Sequence, residues 1–373
     1  METPWEPIIK IYRKQLGNNC FPKLTDYQED FILFLRSKDF FSDDNTKIAF
    51  VQQFFFNILQ GLNNETFNLQ GKMPDVDDIE KPNVLNTLIS KAEQWFSNWQ
   101  NTNPLQCNDF IDLLFEDFKN FNRDIIDNVV QVLYQNGGFL VNQNQKMVLE
   151  KLLYETIKMQ EVSTPFTGLV FAGFGEDDIF PSLIPVNISF ALGDRLRYFV
   201  DINMTTYISN NNNASIRPFA QTDVINTILT GIAPNLEQTY ISNFDLFLKQ
   251  YNQILATQLQ NTQPELAQQI LNLDVRALVQ QFIQENHEVK KTQYINPLMN
   301  AVSMLSKEDL SEMAESLIYL TYLKRRITFA EESVGGPVDV AVISKGDGFI
   351  WMKRKHYFKP ELNQHFFINY NKI

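Results

Sequence analysis

Apolar residues recur at helical spacing through roughly the first 160 positions of this chain and, after Pro165, switch to strict alternation. Neither an all-helical bundle nor an all-β sandwich accommodates both periods, so the pattern predicts an α+β fold with helices layered on a sheet. In the first part, Thr3-Pro4-Trp5-Glu6 has capping-box spacing with Pro at the first helical position, and Gly17 is a stop, which predicts a helix over 4–16. Thr25 to Gln28 repeats the capping spacing ahead of Tyr27, Phe31, Phe34 and Leu35 on one face. Ile48, Val51, Phe54, Phe55, Ile58, Leu59 and Leu62 mark a third helix, and Val84, Leu88, Ala92, Trp95 and Trp99 a fourth. Residues 108–134 and 145–160 carry at least two more, with Gly137-Gly138 as a turn between helices. These aromatics read as core. Gly and Pro are scarce (14 and 15 of 373), which fits long helices and few tight turns.

After Pro165 the run Gly168 to Phe174 suits a strand covered on both faces. Ile184, Val186, Ile188, Phe190 and Leu192 then alternate, Gly193-Asp194 makes a two-residue turn, and Leu196, Tyr198, Val200 and Ile202 alternate back as a hairpin with one buried face. Helices return over 219–232, 236–259 and 264–286, with Pro264 near the last one's start. Ser306 and Asp309 begin another, whose inward stripe is Leu310, Met313, Ala314, Leu317 and Thr321. Gly335-Gly336-Pro337 turns into a final hairpin: Val338, Val340 and Val342, the turn Lys345 to Gly348, then Phe349 to Met352. The chain thus divides into a mainly helical region, 1–164, and a sheet-bearing region, 165–373, with a helical insertion at about 235–300.

Composition excludes several functions. A net charge of −12 repels a phosphate backbone, so nucleic acid is not an expected partner. The basic cluster Lys324-Arg325-Arg326 sits where a helix ends and complements its dipole; Lys353-Arg354-Lys355 is the other dense one. No window of about 18 apolar residues and no leader-like start is present, so the expectation is a cytoplasmic protein without a membrane partner. Two cysteines (Cys20, Cys107) and three histidines (His287, His356, His365) build no local zinc motif, and no Gly-rich Lys-Ser/Thr loop offers a nucleotide site. Glu176-Asp177-Asp178 could hold a divalent cation but lacks a further acidic residue at local spacing, and reads as a solvated turn. His287 reads as a surface residue near a helix end. His356 and His365 flank a strand-like segment, and Ser333 and Ser344 lack an activating elbow. No residue is assigned a catalytic, cofactor-binding or metal-binding role.

The segments GLVFAGFGEDDIFPSLIPVNI, LSKEDLSEMAESLIYLTYLKRR and GGPVDVAVISKGDGFIWM, in that order, resemble the middle strands, late helix and closing hairpin of proteasome β-subunits and related N-terminal-nucleophile hydrolases. PWEPIIKIYRKQLG, IRPFAQTDVINTIL and GGPVDVAVISKGDGFIW are together similar to a group of bacterial proteasome-like proteins. The resemblance implies an αββα sandwich, N-terminally incomplete and enlarged by helical insertions, and a threonine-type peptidase or amidohydrolase ancestry. It supplies no nucleophile, base or lysine here. The chain opens in the helix that would follow the nucleophile strands, and Thr3 reads as a helix cap, so we expect the chain as given to be inactive. A cap three residues from the start favours residues upstream of Met1 over loss of the catalytic half-sheet. The competing expectation is a non-enzymatic helical interaction scaffold with a small accessory sheet, which pairing of 168–203 and 337–352 into separate sheets would favour. Missing strands would also leave an edge and an apolar face (Ile188, Phe190, Val340, Val342) open unless residues 18–160 fold over it. Self-association, and association with other protein subunits, are the expected partnerships.

Overall fold

The computed structural model describes residues 4–37, 40, 44–162, 164–328, 338–356 and 358–370. Thr3, Ser333 and the Gly335-Gly336-Pro337 turn lie outside them. The chain is mixed α+β and falls into two compact units, Met1–Thr206 and Tyr207–Ile373. The change of period at residue 165 therefore lies inside the first unit.

The first unit opens with α1 (Trp5–Leu16), one residue after Pro4, and ends it at Gly17, whose φ of 56° suits a residue without a Cβ. Helix α2 (Leu24–Ser37) starts a residue before Thr25, so Thr25 lies within the helix and does not cap it. Asp26 instead accepts the Lys23 amide at 2.9 Å, and a distant residue described below finishes the cap. Helices α3 (Asp44–Phe67), α4 (Lys81–Thr102), α5 (Phe115–Leu133) and α6 (Gln143–Lys158) follow, the last begun by a reciprocal Asn142–Gln145 capping box. Strands β1 (Thr167–Gly173), β2 (Ser182–Leu192) and β3 (Arg195–Val200) form an antiparallel meander, and the short β4 (Thr206–Tyr207) pairs with β2.

Two apolar cores explain why this sheet is stable. Ile184, Val186, Ile188, Leu196 and Tyr198 pack on Ile8 and Tyr12 of α1 and on Phe31, Ile32, Phe34 and Leu35 of α2. Phe190 and Leu192 instead join the larger core built from α3 to α6, among Phe54, Phe55, Phe118, Leu149 and Leu153. The switch of face comes from a bulge between Ile188 and Ala191, where two residues of β2 oppose one of β3. Helices thus cover both faces, and Ile188 and Phe190 are buried. The hairpin with a single buried face expected for β2–β3 is in fact a strand pair covered on two sides.

In the second unit α7 (Asp223–Thr230), α8 (Pro234–Leu259), α9 (Pro264–Leu271) and α10 (Arg276–Lys290) are followed by a π turn (Lys291–Ile295), α11 (Asn296–Val302) and α12 (Lys307–Ile327). The single helix expected over 264–286 is two, because the Asp274 carboxylate accepts the Arg276 amide at 2.9 Å and restarts the chain. The Ser306–Asp309 capping box forms. Of the stripe expected to face inward on α12, only Thr321 is buried; Leu310 and Ala314 are exposed, and Met313 and Leu317 are partly covered. Strands β5 (Val340–Ser344) and β6 (Gly348–Lys353) form a separate two-stranded sheet, fastened to α12 by the Lys307–Asp347 and Lys353–Glu315 ion pairs. The last described elements are a 3-10 turn (Pro360–Leu362) and α13 (Gln364–Tyr370), so among the described residues no strand lies between His356 and His365.

Candidate functional site

The most unusual chemistry in the first unit is Arg197, a charged side chain only 1% exposed in the strand β3. The bulge of β2 lies opposite it, so Ser189 and Phe190 both turn toward its guanidinium. Nε donates to the Ile157 carbonyl at 3.1 Å, and Nη1 to the hydroxyls of Thr164 and Ser189 at 3.3 and 3.2 Å. Nη2 donates to the carbonyls of Met159 and Val162. All five N–H donors are therefore spent. The guanidinium carbon lies over the rings of Phe54 and Phe190, at 5.5 and 5.9 Å from their centroids.

No carboxylate bonds to Arg197 among the described residues. Its charge is met by the last turn of α6, whose orphaned carbonyls carry the negative end of the helix dipole. Burial lowers the guanidinium's pKa from its ordinary value, yet arginine remains charged under these conditions. Cys107 is buried in the same region, on a short bridge in which its amide donates to the Lys158 carbonyl at 2.7 Å. Burial pushes its thiol pKa up, and the positive charge of Arg197 offsets part of that. A thiol so placed is unreactive, and an arginine with no free donor cannot grip an anionic substrate. The cluster works as a C-terminal cap on α6. Alternation had placed Arg197 on the solvent side of the hairpin; the readable signal was Phe199 two residues on, an apolar residue on that same face.

The acidic loop also has a structural role. Asp178 Oδ2 accepts the amides of Leu24 and Gly175 at 3.1 and 2.7 Å, completing the N-terminal cap of α2. The amides of Glu176 and Asp177 donate to the carbonyls of Phe21 and Pro22, each at 2.9 Å. Gly175 sits so close that a Cβ there would lie 2.3 Å from the Lys23 Cα. Among the described residues no group of three His, Cys, Asp or Glu side chains is arranged to hold a metal ion.

The remaining candidates are scattered. Cys20 is exposed and Cys107 buried, both as free thiols. His287 is exposed on α10, His365 is exposed on α13, and the half-buried His356 contacts the rings of Phe358, Phe366 and Phe367. Ser344 donates to Asp347 at 2.8 Å and accepts from Lys307 at 3.3 Å, a turn-stabilising set with no buried base. Lys324 and Arg325 pair with Asp223 of α7, and Arg354 lies 5.0 Å from the centroid of Trp351. A cleft of about 410 Å³ beside the β2–β3 turn is lined by Ile48, Val51, Phe121, Ile125 and Leu192, with the Asp44–Lys47 pair at its edge. It gathers no convergent acid, base and nucleophile.

What the second unit offers is apolar surface. Helix α8 is 26 residues long, and Ala256 alone is buried. Tyr240, Phe247, Tyr251 and Ile254 follow one another at helical spacing and are all more than half exposed. Phe244, on the same face between Tyr240 and Phe247, stacks on Phe282 of α10 at 4.4 Å, so α10 covers the stripe at that one position. Every residue of β6 is exposed. The chain matches no family model, no curated protein and no solved structure.

Proposed function

We propose that this chain is a non-enzymatic protein-interaction scaffold. The observation that carries the reading is the aromatic stripe of α8, with Phe247 62% exposed on a helix that buries one residue. Contiguous apolar surface of this kind marks a protein-binding face. Separate pairing of β1–β4 and of β5–β6 also favours a scaffold with small accessory sheets over one continuous layered sandwich.

The test is proximity labelling with the full chain and with a Phe247→Ser/Tyr251→Ser/Ile254→Ser variant. Because all three side chains are exposed, each substitution costs the fold about 0.5 kcal/mol or less, so the variant remains folded and loses a defined set of labelled proteins. An identical labelled set would contradict the reading, as would peptide turnover by the purified chain that a substitution within it abolishes.

A second reading keeps the proteasome-like ancestry, with no peptidase activity from residues of this chain. It is supported by the order of the elements: strands at 167–173, 182–192 and 195–200, a helix at 307–327 and a hairpin at 340–353 follow one another as the resemblance implies.

A further inference from the structure

The hairpin β5–β6 is the least self-sufficient part of the second unit. A lone two-stranded ribbon is marginal in water, and here α12 contacts it chiefly through β5. Strand β6 pairs with β5 in the register Val342↔Ile350 and Ile343↔Phe349, and among the described residues its other edge pairs with nothing. Natural edges are guarded by central charges, proline or a covering element. The middle of β6, Phe349-Ile350-Trp351-Met352, has none of these and is exposed throughout.

We propose that the occupant of this edge is a second copy of the chain, joined β6 to β6 in antiparallel fashion about a twofold axis through Ile350. It rests on the interaction reading above and names one partner for it. The register follows from symmetry and side-chain chemistry. Directly opposed residues in an antiparallel pair point to the same face, so a twofold normal to the sheet must pass through a residue position and not between two. Centred on Ile350, that residue opposes itself and Phe349 opposes Trp351 of the second copy. Within one copy these two rings already meet edge to face at 5.0 Å, so pairing gathers four aromatics on the outer face.

The ends of the strand match as well. Asp347 falls opposite Lys353 of the second copy, and each already holds an oppositely charged partner on α12, Lys307 and Glu315 respectively. Signs thus alternate across both ends. Shifting the centre to Phe349 would set Lys353 against Lys345, like charges, and lose the aromatic match. A six-residue edge lies at or below the smallest specific interfaces of about 1,200 Å², so the dimer is micromolar in strength and not obligate.

Sedimentation velocity on the full chain from 1 to 200 µM, as loading concentrations of about that range, reads the association directly. The expected result is a concentration-dependent monomer–dimer equilibrium, weakened roughly tenfold or more by Ile350→Lys, which opposes two like charges at the axis. Far-UV circular dichroism verifies that this variant folds. Oxidation of an Ile350→Cys/Cys20→Ser variant gives an independent readout: a disulfide-linked dimer forms, whereas Phe349→Cys/Cys20→Ser yields little. A monomer at every concentration, a dimer indifferent to Ile350→Lys, or cross-linking stronger at 349 than at 350 overturns the proposal. Should the chain be monomeric while the α8 variant still loses its labelled proteins, the edge pairing fails and the scaffold reading stands.

Discussion

Replacing Arg197 tests whether a buried, carboxylate-free guanidinium can stabilise a protein through helix carbonyls alone. In Arg197→Ala the buried carbonyls of Ile157 and Met159 lose their donors, as does the carbonyl of the half-buried Val162, while Thr164 and Ser189 retain each other through a 2.9 Å hydrogen bond. Two orphaned buried acceptors cost about 2–4 kcal/mol, and loss of the packing of the buried side chain, whose head lies over Phe54 and Phe190, adds about 2 kcal/mol. Relief from burying a charge returns on the order of 2 kcal/mol. The net expectation is a loss of about 3 kcal/mol for Arg197→Ala, and about 1 kcal/mol for Arg197→Met, which retains the packing but not the donors. Hydrogen exchange read by mass spectrometry on peptides from α6 and β3 measures this in the first unit alone. An Arg197→Met protein more stable than the wild type would refute the reasoning, because the desolvation cost would then exceed everything the carbonyls contribute.

Gly175→Ala forces a methyl to within 2.3 Å of backbone at Lys23, so the acidic loop must leave the start of α2; protease cleavage near residues 18–24 should rise sharply, and unchanged cleavage would contradict the close approach. Thiol labelling of the native chain should modify Cys20 and spare Cys107, with both reacting in urea; equal rates in the native state would show that Cys107 is not buried as described. For Asp223, burial raises its pKa, but the hydrogen bond and charge of Lys324, with Arg325, outweigh that and hold it below the ordinary carboxylate value. The folded pKa is depressed, so the stabilisation is present above about pH 4 and disappears as pH falls through the folded value. Exchange in α7 should therefore rise below about pH 4 in the wild type and show no such step in Asp223→Asn.

Local signals that depend on period and capping were readable in the sequence. Phe54, Phe55, Leu59 and Leu62 pack as their spacing implied, Gly17 ends α1, and Ser306 with Asp309 begins α12. What escaped was long-range satisfaction of polar groups. Nothing near Asp178 in sequence indicates that its carboxylate caps a helix 154 residues earlier. Arg197 was hidden because alternation cannot distinguish solvent from a second apolar layer, and the bulge opposite it changes which face β2 presents. The α12 stripe erred in the other direction: Leu310 and Ala314 fall at core spacing, but periodicity says only that a face is apolar, not that the same unit covers it.

Hydroxyl-radical footprinting of the native chain at low micromolar concentration tests most directly whether the aromatics of the second unit are surface and those of the first are core. The account predicts rapid oxidation of Phe247, Tyr251, Phe349 and Trp351, and protection of Phe55, Phe110, Phe118 and Tyr134. Protection of Phe247 and Tyr251 in the monomer, at a level equal to that of Phe118, would contradict it.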